Sequence, residues 1–194
     1  MCFSFEISLG TFITSWSIAI FLLNQKLSQY EYHLVILLMI FSSMQLVDAI
    51  LWYNKNKKNN LNYYLTSIVI PFILSAQIFY NIVIINKIRN IFILTFLCIT
   101  CIYMFVKLNG YTTILCNNKF NSPIWGGNEF KLWELIIFAI LLLYPRYNWL
   151  IFWILFLVIM VKLNIVSGYG SMWCAIANIF AFYVLFKFYI FKMI

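Results

Sequence analysis

Charge is what this sequence lacks. Five acids and one histidine are spread over 194 residues, and only 9% of the side chains are charged, against about 25% in ordinary soluble domains. With 65% of residues apolar and 21% aromatic, too little polar surface remains to coat a water-soluble globule. The composition therefore predicts an all-α, polytopic transmembrane helical bundle with the lipid bilayer as its principal partner, because helices satisfy their own backbone in hydrocarbon. A lone histidine, His33, leaves no construction for histidine-rich metal centres or for Ser-His-Asp catalysis. No basic stretch precedes the first apolar run, which follows Glu6, and no small-x-small cleavage site comes after it, so that run is expected to stay as the first span.

Cations outnumber acids, thirteen against five, for a formal net charge of +8. They stand singly or in small groups beside apolar runs, a pattern that suits anionic lipid head groups and not nucleic acid. Seven apolar segments can be drawn, at about 7–23, 34–53, 63–85, 91–106, 132–144, 149–161 and 172–191, within a single membrane domain covering 1–194. At 1.5 Å per residue most of them reach or approach the roughly 30 Å hydrocarbon thickness. The fifth and sixth are short and divided by Pro145-Arg146, as two thin spans or a re-entrant hairpin; either path returns the chain to the side it left.

That parity sorts the connections. With the N-terminal side named A, the segments 54–62, 107–131 and 162–171 also lie on A, and 24–33, 86–90, 145–148 and the C-terminus lie on B. Glu6, Asp48, Glu129 and Glu134 then fall toward A, with Cys2, Cys116, Cys174, Trp52, Trp125, Trp133 and Trp173, whereas Glu31 falls on B. The cations divide seven to A and six to B, so the positive-inside rule assigns no orientation. The long connection 107–131 is rich in turn formers and, with Ile124-Trp125 inside it, is expected to fold over the A face as a lid.

The strongest constellation is Gln45, Asp48 and Trp52, spaced i, i+3, i+7 on one helical face. An ionisable group inside a span costs roughly 2.5–3.5 kcal/mol on insertion scales and turns toward protein or water. Asp48 is either a functional group or a polar contact to a neighbouring helix, with Trp52 then an interfacial anchor. Gln77 and Asn81 share a face at i, i+4 after Pro71, which removes a backbone donor, and such amides commonly bond between helices. Ser171, Cys174 and Asn178 form a stripe opening the last segment, beside Trp173, as close helix packing or as a thiol in the polar cluster. Cys98 and Cys101 form a Cys-x-x-Cys in mid-helix with no second pair, which reads as buried apolar residues and not as a metal or redox site. A retinal protein would need a lysine near the middle of its last helix, and Lys187 lies close to the end.

With those residues quoted, the chain resembles a family of small multi-pass membrane proteins without an assigned activity, found in bacteria, fungi and large DNA viruses. The resemblance rests on Met1-Cys2-Phe3-Ser4, on Gln45, Asp48 and Trp52, and on Ser171, Trp173 and Cys174, with Leu65-Thr66, Gln77 and Asn81 similar to viral members. Asp48 stands where glutamate is usual, and Ile78 where viral members tend to have proline. The resemblance implies a viral protein of a host-cell or virion membrane and a shared A-face cluster of Cys2, Ser4, Gln45, Asp48, Trp52, Ser171, Trp173 and Cys174. A disulfide among Cys2, Cys116 and Cys174, or a soft metal held by Cys2, Cys174 and Asp48, are versions of that cluster.

Three functions follow as expectations. The first is a non-catalytic integral membrane protein whose A-face cluster binds a small molecule or lipid head group, or fixes the bundle. The second is a membrane-embedded enzyme on a lipid-like substrate, with Asp48 or Glu134 as acid or base and a thiol or metal at Cys2 and Cys174. The third is a small carrier or channel lined by Asp48, Gln45, Gln77 and Asn81. Cofactor and oligomeric state stay open.

Overall fold

Runs of apolar residues form helices, and the first four helices each begin where a short polar side chain takes up the first N–H groups. In the computed structural model, which describes residues 4–117, 120–128, 130–145 and 169–190, helix α1 spans Phe5–Leu23 behind the Ser4 cap. Helix α2 spans Gln29–Tyr53, opened by a Ser28/Glu31 capping box. Helix α3 runs Asn60–Ile85 behind an Asn59 cap, and α4 spans Ile91–Lys107 behind Asn90. Two strands follow, β1 (Thr113–Asn117) and β2 (Phe120–Ile124), then helices α5 (Leu132–Leu143) and α6 (Tyr169–Leu185), the last continued by a π turn at Phe186–Ile190.

Among the described residues three helices, α1, α2 and α3, are long and apolar enough to cross a membrane, and shorter apolar helices lie at Ile91–Lys107, Trp133–Leu143 and Ala177–Tyr189. The segment 149–161 lies outside the described residues. Helices α2 and α3 begin a turn or so earlier than the apolar runs from which the spans were drawn, because their caps sit in the polar flanks at Ser28 and Asn59.

α3 is not a uniform helix. It is π-helical at Leu65–Val69 and again at Tyr80–Ile85. The first π turn ends two residues before Pro71, which offers no N–H to the carbonyl of Ser67 and crowds it, so widening the preceding turn accommodates the ring.

α2 is the central helix: 67% of its membrane-length stretch is buried, against 22% for α1 and 39% for α3. Two apolar clusters flank it. Phe41, Met44, Val47 and Leu51 pack with Leu65, Ile70, Ile73, Leu74 and Ile78 of α3, Leu97 and Met104 of α4, and Phe138, Leu141 and Leu142 of α5. Leu34, Val35, Leu37 and Leu38 pack with Ala19 and Leu22 of α1 and Ala181, Val184 and Phe188 of α6. The Phe41 and Phe180 rings meet edge to face at 6.4 Å, and α6 runs antiparallel to α2, its later residues beside the earlier ones of α2.

The connection after α4 holds a structure that its turn-rich sequence conceals. β1 and β2 pair antiparallel from Thr113↔Ile124 to Asn117↔Phe120, a two-stranded hairpin on an otherwise helical fold. Pro123 is tolerated because each strand of a two-stranded ribbon has an unpaired edge.

Candidate functional site

The carboxyl of Asp48 is carried near the A end of α2, with 1% of the residue exposed. Five residues separate it from Tyr53, so it lies about 7–8 Å below the end of the helix. Its Oδ1 accepts the indole N–H of Trp125 at 3.1 Å, across 77 residues of sequence. Its Oδ2 is buried and has no hydrogen-bond partner among the described residues. Gln45, one turn deeper, is fully buried, and Trp52 lies half-buried in the last turn of α2.

Trp125 belongs to the hairpin. It opens the 3₁₀ turn Trp125–Gly127 after β2 and packs edge to face on Phe130, within the same apolar cluster as Met44, Val47, Leu51 and Leu108. Glycine is required beside it. Gly126 has φ +68°, and a Cβ there would fall 2.9 Å from the Cα of Leu108. Gly110 faces it, where a Cβ would fall 2.8 Å from the carbonyl oxygen of Gly126. Backbone thus rests on backbone, and this close approach drops the indole onto α2.

The foot of the hairpin is pinned to the first turns of α3. Asn62, fully buried, accepts from the Thr112 N–H at 2.8 Å and donates to the Thr112 carbonyl at 3.0 Å, as a strand neighbour would. The Thr66 hydroxyl donates to the Asn62 Oδ1 at 3.0 Å and lies 2.7 Å from the Thr112 hydroxyl. Ser67 Oγ accepts from the Gly110 N–H at 3.0 Å and donates to the Gly110 carbonyl at 3.1 Å. Asn62, Thr66 and Ser67 lie in and just before the first π turn, which turns an extra part of α3 toward the connection.

The far end is clamped by Glu134. Its Oε1 pairs with Lys107 Nζ at 3.0 Å and accepts from the Tyr103 hydroxyl, while Oε2 accepts from the Lys131 N–H. Both oxygens are therefore engaged, and this carboxylate ties the end of α4 to the start of α5. It serves as a strut between the two helices.

The remaining sequence candidates divide. Asn81 Nδ2 donates to the carbonyls of Leu141 and Tyr144 at 3.0 and 2.9 Å, and Asn86 Nδ2 also reaches Tyr144, so this amide closes the orphan carbonyls at the end of α5. Gln77 is fully buried, and neither of its amide atoms has a partner among the described residues. It lies 17 residues into α3, about 25 Å from its A end, well away from Asp48. Ser4 caps α1, accepting from the Ile7 N–H at 3.3 Å, and the neighbouring Phe5 ring meets Tyr53 at 5.7 Å.

Ser171, Trp173 and Cys174 lie on the first turns of α6. From the Phe41–Phe180 contact, an antiparallel pair reaches the level of Asp48 about seven residues earlier in α6, near Trp173 and Cys174. α6 also packs on α1, where Ser15 Oγ donates to Asn178 Oδ1 at 3.2 Å, and against β2. The start of α1, the end of α2, the start of α6 and the hairpin therefore meet at one end of the bundle. Cys2 lies outside the described residues, so the disulfide and the three-ligand metal set drawn from the sequence do too. Among the described residues no three His, Cys, Asp or Glu side chains gather to hold a metal ion.

Sequence reasoning placed Trp125 in the lid but did not pair it with Asp48, and it gave no role to Asn62, Thr112, Lys107 or Tyr103. A usable signal was present: Lys107 and Glu134, opposite charges in a chain poor in charge, bracket the connection. No protein-family model, curated protein or solved structure matches the chain.

Proposed function

We propose that this chain is a non-catalytic, multi-pass integral membrane protein of about seven spans, whose A-face site centred on Asp48 binds a small ligand under the hairpin roof. The observation that carries this reading is the divided carboxyl: Oδ1 held by Trp125, Oδ2 buried without a partner among the described residues. An unmet buried acceptor costs about 1–3 kcal/mol, a deficit that a ligand N–H, O–H or cation would remove. The family resemblance in the N-terminal, α2 and α6 motifs supports the same end of the bundle, and with it a viral membrane protein. Glu134, with both oxygens engaged, argues against its use as an acid or base in an embedded enzyme.

Native mass spectrometry with elemental analysis tests the reading, on protein purified in mild detergent as wild type, Asp48→Asn and Cys174→Ala. A stoichiometric small molecule or ion carried by the wild type and lost in Asp48→Asn is the expected result. Bare, equally folded protein in all three forms would reduce the cluster to a packing device, with the Trp125–Asp48 bond fixing the lid. Gln77 favours a second reading, a carrier, since its amide, without a partner among the described residues, lies deep in α3. Proton or ion flux in liposomes that Asp48→Asn and Gln77→Leu both abolish would move that reading to the front.

A further inference from the structure

α2 ends at Tyr53 and α3 begins at Asn60, leaving a six-residue connection that carries Lys55, Lys57 and Lys58. The connection is rigidly built. Asn54 and Asn59 exchange reciprocal side-chain hydrogen bonds, each 3.0 Å, across its base. Lys55 and Asn56 adopt left-handed conformations, φ 53° and 50°, and the Lys57 carbonyl is held by Asn62 at 3.1 Å. All three lysine side chains project outward, exposed.

Among the described residues none of the three is in an ion pair, and the nearest exposed acid is Glu6, whose neighbour Phe5 meets Tyr53 at 5.7 Å. The ion pair found among the described residues is Lys107–Glu134, elsewhere on the A face. Asp48 and Glu134 are buried and Glu134 is already paired, so of the described A-face acids only Glu6, in the first turn of α1, is left in solvent. Three exposed tyrosines ring the lysines: Tyr53, 77% exposed, at the end of α2, and Tyr63 and Tyr64 on the first turns of α3. A tyrosine collar beside exposed lysines, where two bilayer-length helices end, is the arrangement of a membrane–water interface, with apolar rings at head-group depth and ammonium groups among the phosphates.

We infer that the 54–59 connection, with its tyrosine collar, is a docking surface for anionic phospholipid head groups, and that side A faces the anionic leaflet. The surface is separate from the Asp48 site and rests on α2 and α3 being spans. Clustering distinguishes it from the B side, where no connection carries three cations: Lys26 stands alone, Lys87 and Arg89 share a connection, and Arg146, Lys187 and Lys192 stand singly along the sequence. The tight Asn54–Asn59 base presents the three charges together, so their attraction to phosphate adds.

The test is native mass spectrometry of the full chain in mild detergent, titrated with phosphatidylglycerol and with phosphatidylcholine. Wild type is compared with Lys55→Gln/Lys57→Gln/Lys58→Gln and with a B-face control, Lys26→Gln/Lys87→Gln/Arg89→Gln. The expected result is preferential retention of phosphatidylglycerol, cut at least about tenfold in the A-face variant, about fivefold per lysine at most, and unchanged in the control. Excess inorganic phosphate should not displace the lipid. Equal retention in the A-face variant and wild type, equal loss in both variants, or displacement by phosphate would each overturn the proposal. Should the triple variant fail to match wild-type circular dichroism, the three single Lys→Gln changes supply the readout, each lowering the ratio if the surface is real. A chain that stays in solution without detergent would instead sink the membrane reading itself.

Discussion

Trp125 and Asp48 are joined by a single hydrogen bond, and two glycines hold it in place. Gly126→Ala brings a Cβ to within 2.9 Å of the Leu108 Cα at a φ that L-residues resist, so the turn must shift and the indole with it. The expected outcome is a lowered melting temperature in detergent and a displaced Trp125 indole ¹⁵N–H resonance, identified by its loss in Trp125→Phe. An unchanged resonance in Gly126→Ala would mean that the close approach does not position the ring. Asn62 acts at the same scale. Its replacement by alanine strips partners from the buried N–H and carbonyl of Thr112 and from Thr66, at a cost of about 2–4 kcal/mol. Amide exchange over 109–117 should then accelerate while α1 and the first half of α2 keep their protection.

Between elements, the foot of the hairpin is held by the π turn of α3, and Glu134 ties together the two helices that the connection joins. Glu134→Gln removes the counter-charge of Lys107, whose side chain is 13% exposed, and should cost about 3 kcal/mol. Adding Lys107→Met should recover most of that loss, since a neutral pair leaves no stranded charge, and thermal melts of the single and double variants check it. A double variant no more stable than Glu134→Gln would show that the pair orients the hairpin beyond balancing charge. The two π turns place polar residues where the straight helix would not. Asn62, Thr66 and Ser67 face the hairpin at the first, and Asn81 reaches the end of α5 at the second. Each turn sits at a contact with a non-adjacent element, as expected when tertiary hydrogen bonds compensate irregular backbone.

Across the molecule, the proposed topology alternates the connections between two ends, and this alternation is open to chemical labelling. In a variant with its five native cysteines replaced by serine, Lys58→Cys and Asn109→Cys should react with an impermeant maleimide from one side of sealed vesicles, and Gln25→Cys and Lys87→Cys from the other. Arg146→Cys should label with the second pair and Lys162→Cys with the first if 149–161 is a span. Labelling of all six from one side would dismantle the bundle topology on which the shared A end depends.

The helical class and the three helices long and apolar enough to cross a membrane were legible because both are local: apolar runs unbroken by charge favour helices, and Ser28, Asn59 and Asn90 cap helices wherever the chain goes. Even Asp48 announced itself, since an acid in such a run has few explanations. What the tertiary structure alone decided is its partner. Trp125 reaches Asp48 because Gly110 and Gly126 touch, because Asn62 stands in for a strand beside Thr112, and because Glu134 is consumed by Lys107. The hydrogen bonds among those contacts join residues between 27 and 77 positions apart. Their energies depend on the path of the chain through space, which no periodicity or composition along it encodes.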